Sequence, residues 1–400
     1  MTINADHFAS RLLADQSPGD VSRFKVQVRD DEIADLRDRL QRTRWPVQVP
    51  SGNWAAGADR TYMELLRDHW LNEFDWRTFE LVLNQRPQYT TVVDDARIHF
   101  VHIRSPHPDA RPLLMVHGWP SSPYEFNKLF GPLSDPIGHG MPDRPPFHIV
   151  APSIPGYGFS GPVASEGWHP GRIAEAFHRL MGLLGYDRFG AVGVDMGSPI
   201  SIELARSHPE TLSGLYVTLI PSGLRPADGQ LTPAEQRQWA ANEERRRIEG
   251  GYAAIQGTKP DTVAYGLVDS PIALAAWMVE KFRGWTDCGG DLNSVMSMDE
   301  VLTMVSTYWL TATAGSAARL YYEMASYFGN PATRLDRSRI PVPTGVSVFP
   351  KEIYLTSERI AKDHFQIEQW TPMPRGGHFA AVEQPDLLLA DIQKFFDARH

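Results

Sequence analysis

The chain is predicted to have an α/β fold, in which a mostly parallel sheet with helices on both faces is interrupted by a helical insertion. Up to residue 221, short apolar runs alternate with amphipathic helical patterns, as is typical of parallel strands covered on both faces. Helical patterns alone follow residue 221, and strand character resumes at residues 345–349. With 400 residues and 42% hydrophobic content, the chain can build a large core.

The N-terminal quarter is predicted to form an arm that covers residues 1–95. Residues 24–28 alternate, residues 30–40 and 62–76 have apolar positions at helical spacing, and residues 51–59 form a turn-rich break between them. The many aromatic side chains here accompany no motif for chemistry, so we expect them to pack.

The core is predicted to occupy residues 96–221 and 339–400, on either side of a helical cap at residues 222–338. A strand is expected at residues 91–93, at the end of the arm, and the strands of the core are expected at residues 98–103, 113–116, 147–151, 191–194, 215–220 and 345–349. Its helices are expected at residues 172–184, 198–207 and 385–398. The cap helices are expected at residues 233–249, 272–282, 298–311 and 314–326.

Composition and motifs argue against several classes of protein. The net charge of −9 leaves no basic excess to neutralise phosphates, so no nucleic-acid partner is expected. The single cysteine, Cys288, excludes a disulfide within the chain and is interpreted as structural. We see no metal-ligand spacing and no nucleotide-binding loop, so neither a metal nor a cofactor is expected. No secretory signal and no membrane span are apparent, which favours a cytoplasmic protein.

Asp195 is the candidate nucleophile. It lies in a small-x-Asp-x-small turn between the strand at residues 191–194 and the helix at residues 198–207. This is the setting of the nucleophile elbow of the α/β-hydrolase fold, in which the turn needs small neighbours. An ordinary strand-to-helix turn with Asp195 as N-cap is the alternative.

The expected chain order of nucleophile, acid and histidine identifies the partners of Asp195. His378 lies in a glycine-rich loop before the last helix, where the base is expected, and Glu352 follows the late strand, where the orienting acid is expected. Asp336 and Asp363 are the other candidate acids.

The oxyanion hole is expected to use two backbone N–H groups. One comes from the loop after the first core strand, His-Gly-Trp-Pro at residues 117–120, where Trp119 is the better donor because Pro120 has no N–H. The other comes from Met196, the residue after the nucleophile.

A carboxylate nucleophile is suited to displacement at a saturated carbon, which forms an ester on Asp195. His378, oriented by Glu352, would then activate water to hydrolyse that ester. Epoxides and alkyl halides both fit this chemistry. An epoxide requires an acid for its leaving oxygen, typically a tyrosine, whereas a halide requires only hydrogen-bond donors, and the cap should supply either.

The sequence resembles the microsomal-type epoxide hydrolases from about Phe24 to its end. The similarity is carried by Thr-Arg-Trp-Pro (43–46), the loop at 117–120, Pro-Gly-Tyr-Gly-Phe-Ser (155–160), Gly-Thr-Lys-Pro (257–260), Glu-Lys-Phe (280–282), Tyr-Trp-Leu-Thr (308–311), Phe-Pro-Lys-Glu (349–352) and Gly-Gly-His-Phe (376–379). Met196 stands where the family more commonly has Trp. The resemblance implies that Tyr252 and Tyr321 polarise the epoxide oxygen, with Tyr322 as a second candidate for the latter.

The predicted function is therefore the conversion of a small-molecule epoxide and water to a diol, with Trp119, Tyr157 and Trp309 as candidate pocket walls. The resemblance is to soluble members without a membrane anchor, and a homodimer is plausible. Two alternatives stay open: a haloalkane or haloacid dehalogenase on the same fold, and a non-catalytic ligand-binding protein. The cap tyrosines disfavour the first, and the presence of all three triad candidates disfavours the second.

Overall fold

A computed structural model describes residues 17, 19–48, 54–221, 223–330 and 339–399. Its centre is a nine-stranded sheet with the order β1-β2-β3-β5-β4-β6-β7-β8-β9. The strands are β1 (Ser22–Phe24), β2 (Gln88–Val93), β3 (Ala96–Ile103), β4 (Arg111–Val116), β5 (Phe147–Pro152), β6 (Phe189–Gly193), β7 (Leu212–Val217), β8 (Ile340–Val348) and β9 (Phe365–Pro372).

The sheet combines an antiparallel edge with a parallel centre. Strands β1, β2 and β3 pair antiparallel, as do β3 and β5, whereas every pair from β5 through β4, β6, β7 and β8 to β9 is parallel. All five residues of β6 are buried, as expected of a central strand covered on both faces. The carboxyl ends of the parallel strands therefore share one edge, where ligand sites of open α/β sheets form.

The described helices fall into three groups. The arm contains α1 (Asp30–Gln41), α2 (Arg60–Asn72) and α3 (Trp76–Asn84). The first part of the core contains α4 (Asn127–Ser134), α5 (Pro170–Leu183) and α6 (Gly197–Ser207). The insertion contains α7 (Pro233–Glu249), α8 (Gly251–Gln256), α9 (Pro260–Asp269), α10 (Pro271–Trp285), α11 (Met298–Leu310) and α12 (Ala314–Gly329), and the chain continues with α13 (Glu358–His364), α14 (Ala380–Glu383) and α15 (Pro385–Asp397).

Helices cover both faces of the sheet. Apolar side chains of α5 and α6, such as Phe177 and Leu204, pack with Leu114 of β4 in one buried cluster. Those of α4 and α15, such as Phe130 and Phe396, form a second cluster on the opposite face. Burial of these two clusters supplies the main driving force for the core.

The helical insertion lies over the carboxyl edge of the sheet as a cap. The Tyr308 hydroxyl of α11 donates to the Ser121 carbonyl at 2.8 Å, and the Tyr157 hydroxyl of the core donates to the Ala317 carbonyl of α12 at 3.1 Å. The arm contacts the cap as well, because Arg39 of α1 donates to the Asp269 carbonyl at 2.7 Å. These hydrogen bonds hold the cap against both the core and the arm.

Most sequence-predicted elements are present, with two main corrections. The single helix predicted over residues 62–76 is wrong: α2 ends at Asn72, and α3 begins after Asp75, whose side chain caps the Arg77 N–H at 3.0 Å. Strand β9 and helices α3, α4, α8, α9, α13 and α14 were not predicted. Part of the predicted turn at 51–59 lies outside the described residues.

No single helix in the described part of the chain has the length and apolar character needed to cross a membrane. The pair α9 and α10, bent by 117° between them, passes that test together by length and composition only.

Candidate active site

Four loops at the carboxyl edge of the sheet bring the candidate residues together. Trp119 follows β4, Asp195 follows β6, Glu352 follows β8 and His378 follows β9. Because these strands are parallel and close in the sheet, residues far apart in sequence converge at one place.

Asp195 occupies a strained turn between β6 and α6. Its φ is +45°, a left-handed conformation that residues other than glycine rarely adopt. The backbone approaches closely on both sides: a Cβ on Gly197 would lie 2.0 Å from the Val116 carbonyl oxygen, and one on Gly193 would lie 2.4 Å from the Gly197 carbonyl oxygen. The structure thus has the geometry of a nucleophile elbow, and it places an aspartate carboxylate at its tip.

Asp195 is 8% exposed, and its carboxylate has two distinct neighbours. Its Oδ1 accepts the Trp119 N–H at 2.6 Å. Its Oδ2 lies 3.1 Å from Nε2 of His378, but among the described residues Nε2 has no partner in hydrogen-bond geometry. One oxygen is therefore held by a backbone donor, while the other faces the candidate base.

His378 is buried between two carboxylates. Its Nδ1 lies 2.5 Å from Oε1 of Glu352, which also accepts the Ile353 N–H at 2.6 Å. Burial alone would lower the pKa of His378, but the carboxylates of Glu352 and Asp195 raise it well above its ordinary value. Glu352 thus orients the ring so that Nε2 faces Asp195.

His117 supports the loop that carries Trp119. Its Nε2 accepts the Ile154 N–H at 3.1 Å, and its Nδ1 lies 2.9 Å from the Gly118 carbonyl oxygen. Burial lowers the pKa of His117 to about 4, so the ring is neutral at pH 7 and can both donate and accept. This pair of hydrogen bonds fixes the backbone just before the Trp119 N–H.

Tyr252 and Tyr321 of the cap lie above the carboxylate, with their rings 5.6 Å apart. The buried Tyr321 hydroxyl interacts with Tyr252, which contributes to its raised pKa, but among the described residues it has no partner in good hydrogen-bond geometry. Burial, assisted by the Asp195 charge, raises the pKa of both phenols well above the ordinary value, so both keep their protons. A buried O–H without a well-aligned acceptor is costly, so we expect a ligand oxygen to accept from it.

Tryptophan rings complete this aromatic cluster. The Trp119 ring stacks on Tyr252 at 5.0 Å and 6°, and meets Tyr321 edge-on at 5.8 Å. Trp285, at the end of α10, lies 5.1 Å from both Tyr252 and His378. The cluster forms an apolar enclosure around the polar groups, which strengthens electrostatic interactions inside it.

The remaining predicted residues occupy varied positions. Tyr157 is buried beside His117, at 5.7 Å between ring centroids. Trp309 lies outside the aromatic cluster, with the Arg39 guanidinium 5.6 Å from its ring, so its predicted place in the pocket wall is not supported. Tyr322 is 40% exposed, in contrast to the buried Tyr321. Met196 is the N-cap residue of α6, and its role as a second N–H donor stays a prediction.

The two runner-up acids do not displace Glu352. Asp363 is exposed and accepts the Ala227 N–H at 2.8 Å, away from His378. Asp336 lies outside the described residues.

Sequence reasoning missed Trp285, Asp287 and Glu383, which all lie beside the histidine loop. The Glu383 carboxylate accepts the N–H groups of Asp287, Gly377 and Phe379. A glutamate at the end of a short helix such as α14 gives no sequence signal for such contacts, because they depend on how the cap meets the core.

The fold and the site together define an α/β-hydrolase with an aspartate at the nucleophile position. A family model described as the epoxide hydrolase N terminus matches residues 21–126, and one described as the alpha/beta hydrolase fold matches residues 111–247. Together, the two matches cover the arm and the first part of the core.

The chain is similar to epoxide hydrolases over nearly its whole length. It is 40% identical to a protein of Stigmatella aurantiaca that is named as a candidate epoxide hydrolase, covering 94% of this chain and 84% of that protein. It is 36% identical to epoxide hydrolase 1 of Sus scrofa, covering 93% and 87%. The structure of Aspergillus niger epoxide hydrolase superposes with a TM-score of 0.81 at 30% identity and covers 96% of each chain. The chain belongs to the epoxide hydrolase family.

Proposed function

We propose that this chain hydrolyses epoxides to vicinal diols through an ester formed on Asp195. The observation that carries the proposal is the environment of one carboxylate: Oδ1 accepts the Trp119 N–H at 2.6 Å, and Oδ2 lies 3.1 Å from Nε2 of His378. The buried tyrosine hydroxyls beside it supply the acid that an epoxide needs.

In the first step, a carboxylate oxygen of Asp195 attacks an epoxide carbon, and the bond between that carbon and the ring oxygen breaks. The ring oxygen takes a proton from Tyr252 or Tyr321. The O–H of Tyr321 supports this role, because an epoxide oxygen would give it a better-aligned acceptor than Tyr252 does. The products are a hydroxyalkyl ester on Asp195 and a tyrosinate.

In the second step, His378 takes a proton from water, and the hydroxide attacks Cγ of Asp195. The Trp119 N–H stabilises the oxyanion that forms, with Met196 proposed as the second donor. Collapse breaks the bond from Cγ to the alkyl oxygen, which takes the proton back from His378 and leaves as the diol. The new carboxylic acid returns a proton to the tyrosinate.

The same nucleophile would serve a dehalogenase, but two observations favour the epoxide. Tyr252 and Tyr321 are buried near enough to Asp195 for its charge to act on both phenols, and the named relatives with near full-length similarity are epoxide hydrolases. The aromatic enclosure further supports a small apolar epoxide as substrate, because its walls offer large apolar area and few polar partners.

A single-turnover reaction in water enriched in heavy oxygen tests the proposal. With enzyme in excess over an aryl epoxide, the first diol should contain only ordinary oxygen, because its new oxygen comes from Asp195. The heavy isotope should appear in the peptide that contains Asp195. Heavy oxygen in the first diol would mean direct attack by water and would exclude the ester.

We propose further that the protein acts in the cytoplasm as a homodimer on its small-molecule substrate. These expectations come from the sequence and the resemblance alone. Cell fractionation and analytical ultracentrifugation test them.

A further inference from the structure

Glu383 holds the loop that carries His378 from both sides of the histidine. Its Oε1 accepts the Phe379 N–H at 2.9 Å, and its Oε2 accepts the Gly377 N–H at 3.1 Å. Oε2 also accepts the Asp287 N–H at 2.8 Å, from the chain just beyond α10. Glu383 is 9% exposed, so solvent offers these donors little alternative.

The same loop is joined directly to the end of α10 in the cap. The His378 N–H donates to the Trp285 carbonyl at 2.9 Å, and the Gly376 N–H donates to Oδ2 of Asp287 at 3.0 Å. The two segments approach so closely that a Cβ on Gly377 would lie 2.5 Å from the Trp285 carbonyl oxygen. The backbone of His378 is thus held by the cap as well as by the core.

We propose that Glu383 is a positioning residue for the hydrolytic half of the reaction, which sets His378 against Asp195 by fixing the histidine loop to the end of α10. This inference rests on the proposed function. It goes beyond that function because Glu383 touches neither the substrate nor the reacting carboxylate and acts through the backbone of His378.

The two half-reactions depend on Glu383 differently. Ester formation uses Asp195, Trp119 and the tyrosines, none of which Glu383 contacts. Ester hydrolysis needs Nε2 of His378 within reach of a water at Cγ of Asp195, and a displacement of about 1 Å in such geometry costs about 10²-fold in rate. A loosened loop should therefore slow hydrolysis and leave alkylation intact.

An amide cannot replace this carboxylate. Three N–H groups converge on two acceptor oxygens, and glutamine has one acceptor oxygen and one NH₂ donor. In either orientation of the amide, the NH₂ of Glu383→Gln faces at least one backbone N–H. The variant keeps the size of the side chain and loses at least one of the three backbone hydrogen bonds that the carboxylate accepts.

Rapid-quench single turnover of Glu383→Gln with an aryl epoxide tests the proposal, with both rates measured by intact mass. Hydrolysis of the ester should fall by about 10²-fold, while alkylation stays within about twofold, so the ester accumulates. A merely structural role would lower the active fraction without changing the ratio of the two rates.

Glu80→Gln is the matched control. Glu80 is also 9% exposed and accepts a backbone N–H, that of Val28, at 2.7 Å, but it lies in the arm. Glu80→Gln should be less stable than wild type and keep the wild-type ratio of the ester-hydrolysis rate to the alkylation rate. Accumulation of ester in this variant as well would contradict a specific role for Glu383.

Three further outcomes are decisive. An unchanged ratio in folded Glu383→Gln overturns the inference. If that variant does not fold, Asp287→Ala is measured in its place, because it removes the acceptor of the Gly376 N–H. The inference then predicts slower ester hydrolysis in Asp287→Ala, and an unchanged hydrolysis rate would overturn it. If wild-type enzyme and His378→Gln both form no ester, the proposed function itself fails.

Discussion

Nε2 of His378 lies 3.1 Å from Oδ2 of Asp195, so the candidate base and the candidate nucleophile share one electrostatic environment. The Asp195 charge helps to raise the pKa of His378 in the resting site. Formation of an ester replaces that charge by a neutral group, which lowers the pKa of His378. The histidine therefore becomes a better base once the ester that it must hydrolyse has formed.

Asp195→Asn should lower the pKa of His378, because it removes one of the two carboxylates that raise it. NMR titration of the His378 ring in both proteins measures this change. In wild type, the raised pKa of His378 increases the free energy of unfolding. This stabilisation is fully present at pH values below the unfolded-state pKa of about 6.5, and it is lost as pH rises through the folded-state pKa. An unchanged ring pKa in Asp195→Asn would show that the two groups are not coupled.

Asp195→Ala should lose turnover by at least about 10⁴-fold, because no other group can form the ester. Initial diol formation measures the loss, and far-ultraviolet circular dichroism checks that the variant is folded. Substantial turnover by a folded variant would exclude the covalent route.

Tyr252→Phe and Tyr321→Phe should each slow alkylation by about 10²-fold, and the double variant should approach the uncatalysed rate. Each change removes one buried hydroxyl and keeps the ring in the aromatic cluster. Single-turnover ester formation is the measurement. Tyr322→Phe, at a position that is 40% exposed, is the control and should match wild type; a double variant with wild-type alkylation would rule out both tyrosines as acids.

Glu125, buried beneath the site, should make stability depend on pH. Burial raises the pKa of Glu125 to about 8, from 4.5. Between these values the folded state binds more protons than the unfolded state, so this group makes the free energy of unfolding fall as pH rises. Compared with Glu125→Gln, wild type should lose a few kcal/mol between about pH 4.5 and 8. Urea unfolding across that range measures the difference, and parallel curves would contradict the shift.

The core of the fold follows from the sequence because its strands are apolar runs that are buried on both faces. Strand β6 (Phe189–Gly193) has all five residues buried, and its apolar pattern predicts a strand at residues 191–194, two residues later at its start. Strand β9 lies at the edge of the sheet and is only partly buried, with Gln366, Glu368 and Gln369 among its residues. Its pattern is therefore mixed, and only pairing with β8 defines it as a strand.

The site divides in a similar way. The turn at Asp195, the loop at Trp119 and the positions of Glu352 and His378 follow from short local patterns and chain order. The contacts of Glu383 and Trp285 arise where the end of α10 meets the histidine loop, across about 90 residues of sequence. No local pattern encodes that meeting, which depends on how the cap docks. Trp309 is the opposite case. A local motif suggests that it lies in the site, but its ring packs near the arm.

The most direct test of the central claim is the intact mass of His378→Gln after separate incubations with an aryl epoxide and a bromoalkane. We predict an adduct with the full mass of the epoxide, located on Asp195, because ring opening retains every atom of the substrate and the second step lacks its base. An adduct from the bromoalkane alone, or an epoxide adduct located elsewhere, would contradict it.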